Sequence, residues 1–147
     1  MAAGVTSNFP EFTIKVNDTK PIWGYCGQTG HCQQGMVFSI NAPTHGPNTF
    51  AAFQALAKKT ATTTSSSAAS YSTSGSYSGG SKEHTIVVGP NGHLAYDPPY
   101  INANPGDTVK FTFRQKNHTG MVFTPPLLGG QADFLPYSHA IKLCESL

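Results

Sequence analysis

The sequence predicts an all-β chain with one short helix and a disordered linker, and three observations carry that reading. Phe12, Ile14 and Val16 alternate with Thr13, Lys15 and Asn17, and Val109, Phe111 and Phe113 alternate with Lys110, Thr112 and Arg114. That is the period of a strand with one buried face. Helical spacing stands out once, at Phe50, Phe53, Leu56 and Ala57. Residues 60–81 are almost wholly Thr, Ser, Ala, Gly and Tyr, too poor in apolar side chains to offset the entropy of ordering.

In chain order, the strand at 12–16 runs into a turn, Asn17-Asp18-Thr19-Lys20-Pro21, whose proline is barred from a central ladder. Residues 22–25 read as a second short strand and 36–40 as a third, with Met36, Phe38 and Ile40 on one side. A helix is expected at 49–59, with Thr49 as its cap and Lys58-Lys59 complementing the dipole at its end. Beyond the linker, Thr85-Ile86-Val87-Val88 reads as a strand, Gly89-Pro90-Asn91-Gly92 as a turn and Leu94-Ala95-Tyr96 as a short pairing segment. Asn104-Pro105-Gly106-Asp107 is another turn, leading into the strand around Phe111. Residues 120–147 are apolar and rich in Pro and Gly but keep neither period, so no element is assigned there.

The 147 residues hold one ordinary domain or pieces of two. Charged residues are 11% and the net charge is +2, with no Lys/Arg cluster to track a phosphate backbone, so nucleic acid is not an expected partner. No apolar run is long enough to span a membrane. Met1-Ala2-Ala3-Gly4 lacks the regions of a secretory signal, although Asn17-Asp18-Thr19 and Asn117-His118-Thr119 are glycosylation sequons. With seven acidic residues and no Ser-His-Asp set, carboxylate pair or Gly-rich phosphate loop in view, the chain does not read as an enzyme.

Chemistry concentrates in residues 23–36, Trp-Gly-Tyr-Cys-Gly-Gln-Thr-Gly-His-Cys-Gln-Gln-Gly-Met, where Cys26, His31 and Met36 follow Cys-x4-His-x4-Met spacing. Soft sulfur beside imidazole suits copper better than a hard cation. Cys26-Gly27-Gln28-Thr29-Gly30-His31 also looks like the middle of a zinc knuckle, but the two outer ligand positions are Trp23 and Met36, which removes half of a closed four-ligand zinc site. A trigonal His2Cys set with a long axial Met is the blue-copper geometry, and one Cys, one His and one Met stand here in that order. Trp23 and Tyr25 flank the loop as core packing or as an electron path, with core packing the commoner role. His45, His84, His93 and His139 read as ordinary surface histidines.

Tyr25-Cys26, Gly30-His31-Cys32 and Gly35-Met36 together resemble the phytocyanin-type signature of the cupredoxins. Pro105-Gly106-Asp107-Thr108-Val109, Phe111-Thr112-Phe113 and Asn117-His118-Thr119 are similar to the opening strands of the same family, and with the serine-rich segment the chain resembles the fungal extracellular serine-rich cupredoxins. The resemblance implies a cupredoxin-like Greek-key β-sandwich, incomplete as two partial domains. It implies copper held by Cys26, His31, Met36 and His118, a redox partner protein, and a place outside the cell or on its surface. It also implies that Cys32 is a half-cystine, for which Cys144 is the one other cysteine left.

The family places its first histidine before the Cys-His-Met loop, whereas here the loop comes first. The chain therefore reads as the closing part of one domain at 5–48, a helix at 49–59, a linker at 60–81, the opening part of a second domain at 82–119 and a divergent tail at 120–147. Three arrangements follow: halves docked within one molecule, halves docked between chains through unpaired strand edges, and a partly ordered fragment without a competent site, the one favoured here. The functional expectation is a type 1 copper, electron-transfer protein or an inactive fragment of one. Its alternative is a cell-surface or wall-associated serine-rich structural protein without a competent copper site.

Overall fold

In the computed structural model of the chain the described residues are 9–59, 80–114 and 118–123. The linker expected at 60–81 and the tail at 120–147, with Cys144 and His139, lie outside them but for residues 80–81 and 120–123. The described residues form eight strands and one α-helix, an all-β sandwich of two four-stranded sheets.

Strand β1 (Glu11–Lys15) follows the alternating segment, although Phe12 is 45% exposed and only Val16, just past its end, is sealed in the core. Strands β2 (Ile22–Tyr25) and β3 (Val37–Ile40) stand where two strands were expected, and they pair antiparallel across the Cys-His-Met loop. Helix α1 (Phe50–Lys59) is capped by Thr49, whose Oγ1 accepts the Ala52 N–H at 3.3 Å and satisfies one of the free donors of the first turn. Strand β4 (Glu83–Val88) and strand β7 (Thr108–Phe113) coincide with the other strongly patterned runs. Three short strands complete the set: β5 (Tyr96–Asp97), β6 (Tyr100–Ile101) and β8 (Met121–Phe123). The last lies where the sequence shows no period, and pairing with β2, not side-chain pattern, defines it.

One sheet has the order β1-β7-β4-β5 and the other β6-β3-β2-β8. Each contains strands from both sides of residues 60–79: β1 pairs antiparallel with β7, β2 antiparallel with β8, and β3 parallel with β6. The two segments thus share their ladders, the first of the three arrangements considered. Their joint core takes Val16, Ile86, Val88, Val109 and Phe111 from one sheet and Phe38 and Ile40 from the other, with Cys26 and Met36 at its edge in sequence and fully buried.

The second sheet is covered on its other face as well. Trp23, Tyr25 and Val37 point away from the shared core and pack with Phe53 and Ala57 of α1, the Trp23 and Phe53 rings meeting edge-on at 5.0 Å. Burying an aromatic side chain of this size stabilises by roughly 1.5–3 kcal/mol, enough to fix a ten-residue helix that would be marginal alone. Leu56, expected on the same stripe, faces outward at 36% exposure.

His84 is no surface histidine. Its Nε2 lies 3.0 Å from Asp107 Oδ2, and Asp107 is buried at the turn before β7, where it also accepts the N–H groups of Lys82 and Asn104. These bonds hold the carboxyl at a pKa of about 2, the His84 hydrogen bond first among the causes and the two backbone donors next. The sequon Asn17-Asp18-Thr19 stands on an exposed turn. Asn117 of the second sequon lies outside the described residues.

Two outcomes follow. A Cβ at Gly24 would run into the Phe38 ring and come within 2.7 Å of the Met121 carbonyl oxygen. Gly24→Ala is therefore expected to destabilise by about 1–3 kcal/mol, as overpacking does, measured by denaturant titration. Asp107 is depressed from 3.8 to about 2 in the folded state, so its stabilisation is complete above the unfolded value and lost as pH falls from about 4 to about 2. Asp107→Asn should flatten stability against pH across that window and lower it at neutral pH.

Candidate metal centre

The loop between β2 and β3 is closed by its own backbone. Cys26 N–H donates to Met36 O at 3.0 Å, extending the hairpin ladder by one rung, and Met36 N–H donates to His31 O at 3.1 Å. His31 N–H bonds Gln28 O, and a single 3-10 turn at Cys32–Gln34 ends on Gly35, whose φ of 90° is left-handed. Helix α1 braces this turn: Gln54 Nε2 donates to Gly35 O at 3.3 Å, and Cys32 packs in one cluster with Phe53 and Ala57. Cys32 is disulfide-bonded, and the pairing with Cys144 expected above lies outside the described residues.

His118 arrives from the other segment. It stands three residues before β8, whose pairing with Trp23, Gly24 and Tyr25 carries it to the end of β2, where Cys26 begins the loop. Cys26 Sγ lies 3.4 Å from His31 Nδ1 and 3.9 Å from His118 Nδ1, and the three donor atoms are all within 4.8 Å of one another. Three ligands on one first-row ion, with bonds of about 2.0–2.3 Å, stand roughly 3.3–4.0 Å apart. Both sulfur-to-nitrogen separations fall in that interval, and all three donors lie within 4.8 Å of one another, so the donor set fits an ion of that class once the imidazoles draw in around it. The cysteine is fully buried and the two histidines partly so, which limits access of water to the sulfur side.

Met36 is fully buried in the same core cluster as Cys26 and neighbours it through the Cys26 N–H···O bond. Sequence spacing singled out Cys26, His31 and Met36; His118 was indicated only by family resemblance, because 92 residues separate it from Cys26. Sequence reasoning missed Thr119 and Tyr96. Thr119 N–H donates to Cys26 Sγ at 3.5 Å, Thr119 Oγ1 accepts the Gly27 N–H at 2.7 Å, and the Tyr96 hydroxyl donates to Thr119 O at 2.8 Å. Burial, and after it the neighbouring Cys26, holds the Tyr96 hydroxyl well above its ordinary pKa of 10, so it stays a donor across the working range. The one available signal was the adjacency of Thr119 to His118.

A two-sheet β-sandwich with a buried thiol and two imidazoles gathered at one end of β2 is thus the class that fold and site define. The chain is 40% identical over 52 residues to "Probable GPI-anchored cupredoxin-1" of Arthroderma benhamiae, a match covering 35% of this chain and 27% of that protein. It is 46% identical over 37 residues to the "Extracellular serine-rich protein" of the same organism, covering 25% of this chain and 14% of the relative. The matches therefore span about a quarter or less of these curated relatives. No family model matches the chain, and no solved structure does. Among the described residues no helix is long and apolar enough to cross a membrane.

Gly35 supports the loop in a way that a variant exposes. Its left-handed φ and the Lys58 side chain lying over it, with Cγ at 3.2 Å from the site of a Cβ, leave no comfortable place for a side chain. Gly35→Ala should cost about 1–2 kcal/mol of stability, the usual penalty of that backbone region, measured by thermal or denaturant unfolding.

Proposed function

We propose that the chain is a type 1 copper-binding protein of the electron-transfer kind, in which Cys26, His31 and His118 would hold the ion, with Met36 beside them as a further sulfur donor. The observation that carries this reading is the convergence of one buried thiol and one nitrogen from each of two imidazoles within 4.8 Å of one another, from segments far apart in sequence. A thiolate with two imidazoles is the donor set that selects copper in such sites, and the name of the cupredoxin relative agrees with it.

Copper bound there would supply a one-electron couple. The chain's own residues supply the rest. Cys26 enters as the thiolate, its thiol proton leaving as the ion binds. The hairpin bond from Cys26 N–H to Met36 O and the Thr119 N–H on Sγ fix the sulfur, and the core around Met36 and Phe38 excludes water from it. Donors fixed by strand ends and a braced turn change little between two oxidation states, which is what rapid one-electron exchange requires. A redox partner protein is the partner this function calls for, and the names of both relatives point to a place outside the cell or on its surface.

A second reading is favoured by one observation. The relative matched at 46% identity is named for its serine-rich, extracellular character, and this chain carries such a stretch at 60–81. On that reading the sandwich is a spacer in a cell-surface or wall-associated serine-rich protein, and copper is absent.

Addition of Cu(II) to the full chain separates the two. The metal reading expects an intense thiolate-to-copper absorption near about 600 nm at one ion per chain, abolished by Cys26→Ala and weakened or shifted by His118→Ala. A colourless wild-type protein whose copper affinity is unchanged by Cys26→Ala would leave the structural reading standing.

A further inference from the structure

Thr119 spends every polar atom it has on closing the site. Its N–H meets Cys26 Sγ, its Oγ1 takes the Gly27 N–H, and its carbonyl takes the Tyr96 hydroxyl. Tyr96 is itself an anchored group: it is 2% exposed, its ring lies 4.7 Å from Phe38 and meets Phe111 edge-on at 6.5 Å, and it belongs to β5 of the opposite sheet. Gly27 makes the approach feasible. A Cβ there would meet Thr119 Oγ1 at 3.0 Å and Met121 Cγ at 3.2 Å, so a side chain at 27 would push the His118 segment outward.

The segment needs such fastening. His118 stands outside the β8 ladder, three residues before its first rung at Met121, so strand pairing does not itself hold the residue that carries the imidazole. An imidazole on an unfastened segment must be ordered each time an ion binds, which weakens binding.

We infer that Tyr96 and Thr119 are positioning residues of the metal centre, clamping the backbone of His118 to the Cys26 loop so that the three donors stand assembled before an ion arrives. This rests on the reading of Cys26, His31 and His118 as metal donors. Tyr96 acts from the core and across the two sheets, so the clamp ties the geometry of the site to the packing of Phe38 and Phe111. Neither residue touches the ion. Their work is to hold one backbone segment in register with another.

The test uses the full chain as wild type, Tyr96→Phe, Thr119→Val and Thr119→Ser, with Asp107→Asn, at the start of β7, as a variant that lowers stability away from the site. Two readouts are taken: Cu(II) affinity followed by the thiolate absorption, and the rate at which iodoacetamide alkylates Cys26 in metal-free protein, mapped by mass spectrometry. The clamp predicts that Tyr96→Phe and Thr119→Val each weaken copper binding about tenfold, the scale of a lost supporting contact behind a ligand. They should also speed alkylation about tenfold, the scale of one lost buried hydrogen bond. Thr119→Ser should keep both at the wild-type level, and Asp107→Asn should move neither. Affinity and alkylation unchanged in Tyr96→Phe and Thr119→Val, or changed no more than in Asp107→Asn, would overturn the clamp. A wild-type chain that takes no copper overturns the metal reading instead; alkylation then decides the clamp alone, faster reaction in the two variants supporting it and an unchanged rate refuting it.

Discussion

The closure of β8 onto β2 is the contact on which the rest of the site depends. Three rungs, Trp23 with Phe123, Gly24 with Val122 and Tyr25 with Met121, bring His118 across 92 residues to the sulfur of Cys26. The closeness of that pairing is set by a missing side chain. At Gly24 the space a Cβ would take is filled from one side by the Phe38 ring and from the other by the Met121 carbonyl, so strand pairing and core packing are satisfied together or not at all. Phe38 in turn packs at a tilt against Tyr96 and Phe111, which makes the aromatic centre of the sandwich a direct neighbour of the donor cluster. Interiors packed at such density respond to small volume changes, and a disturbance there reaches the site.

The sheet that carries the loop is supported on both faces. Its inner face shares a core with the opposite sheet through Phe38 and Ile40, while its outer face is covered by α1 through Trp23, Val37, Phe53 and Ala57. The helix reaches the loop as well, through Gln54 on Gly35 O and the packing around the disulfide-bonded Cys32. At the other end of the molecule Asp107 performs a comparable task by binding Lys82 N–H, Asn104 N–H and His84, which fixes the start of β7 against the start of β4. A binding constellation keeps its geometry when its neighbours have a single packed arrangement, and both arms of this fold supply one.

Much of the fold was legible where one residue type repeats with a fixed period. The alternation at 109–113 located β7, the Phe50, Phe53 and Ala57 spacing located α1, and Met36, Phe38 and Ile40 do share the inner face. Strands β6 and β8 were not legible, since two- and three-residue segments carry no period and exist through partners distant in sequence. The same limit applied to the sharing of ladders between segments on either side of residues 60–79: register across that gap is a tertiary fact, and the order of the family's motifs argued for parts of two domains. At the site, Cys26 and His31 sit five residues apart and could be read together, whereas Tyr96 and Thr119 act through backbone atoms that no motif records. His84 looked like a surface residue because nothing in its neighbourhood in sequence shows that Asp107 lies beside it.

X-ray absorption at the copper edge of the metal-loaded chain addresses the centre most directly, because it counts donor types around the ion. The convergence of Cys26, His31 and His118 predicts one short bond to sulfur and two to imidazole nitrogen, with the nitrogen count falling to one in His118→Ala. A copper ion ringed by oxygen and nitrogen alone, with the same spectrum in Cys26→Ala and His118→Ala, would contradict it.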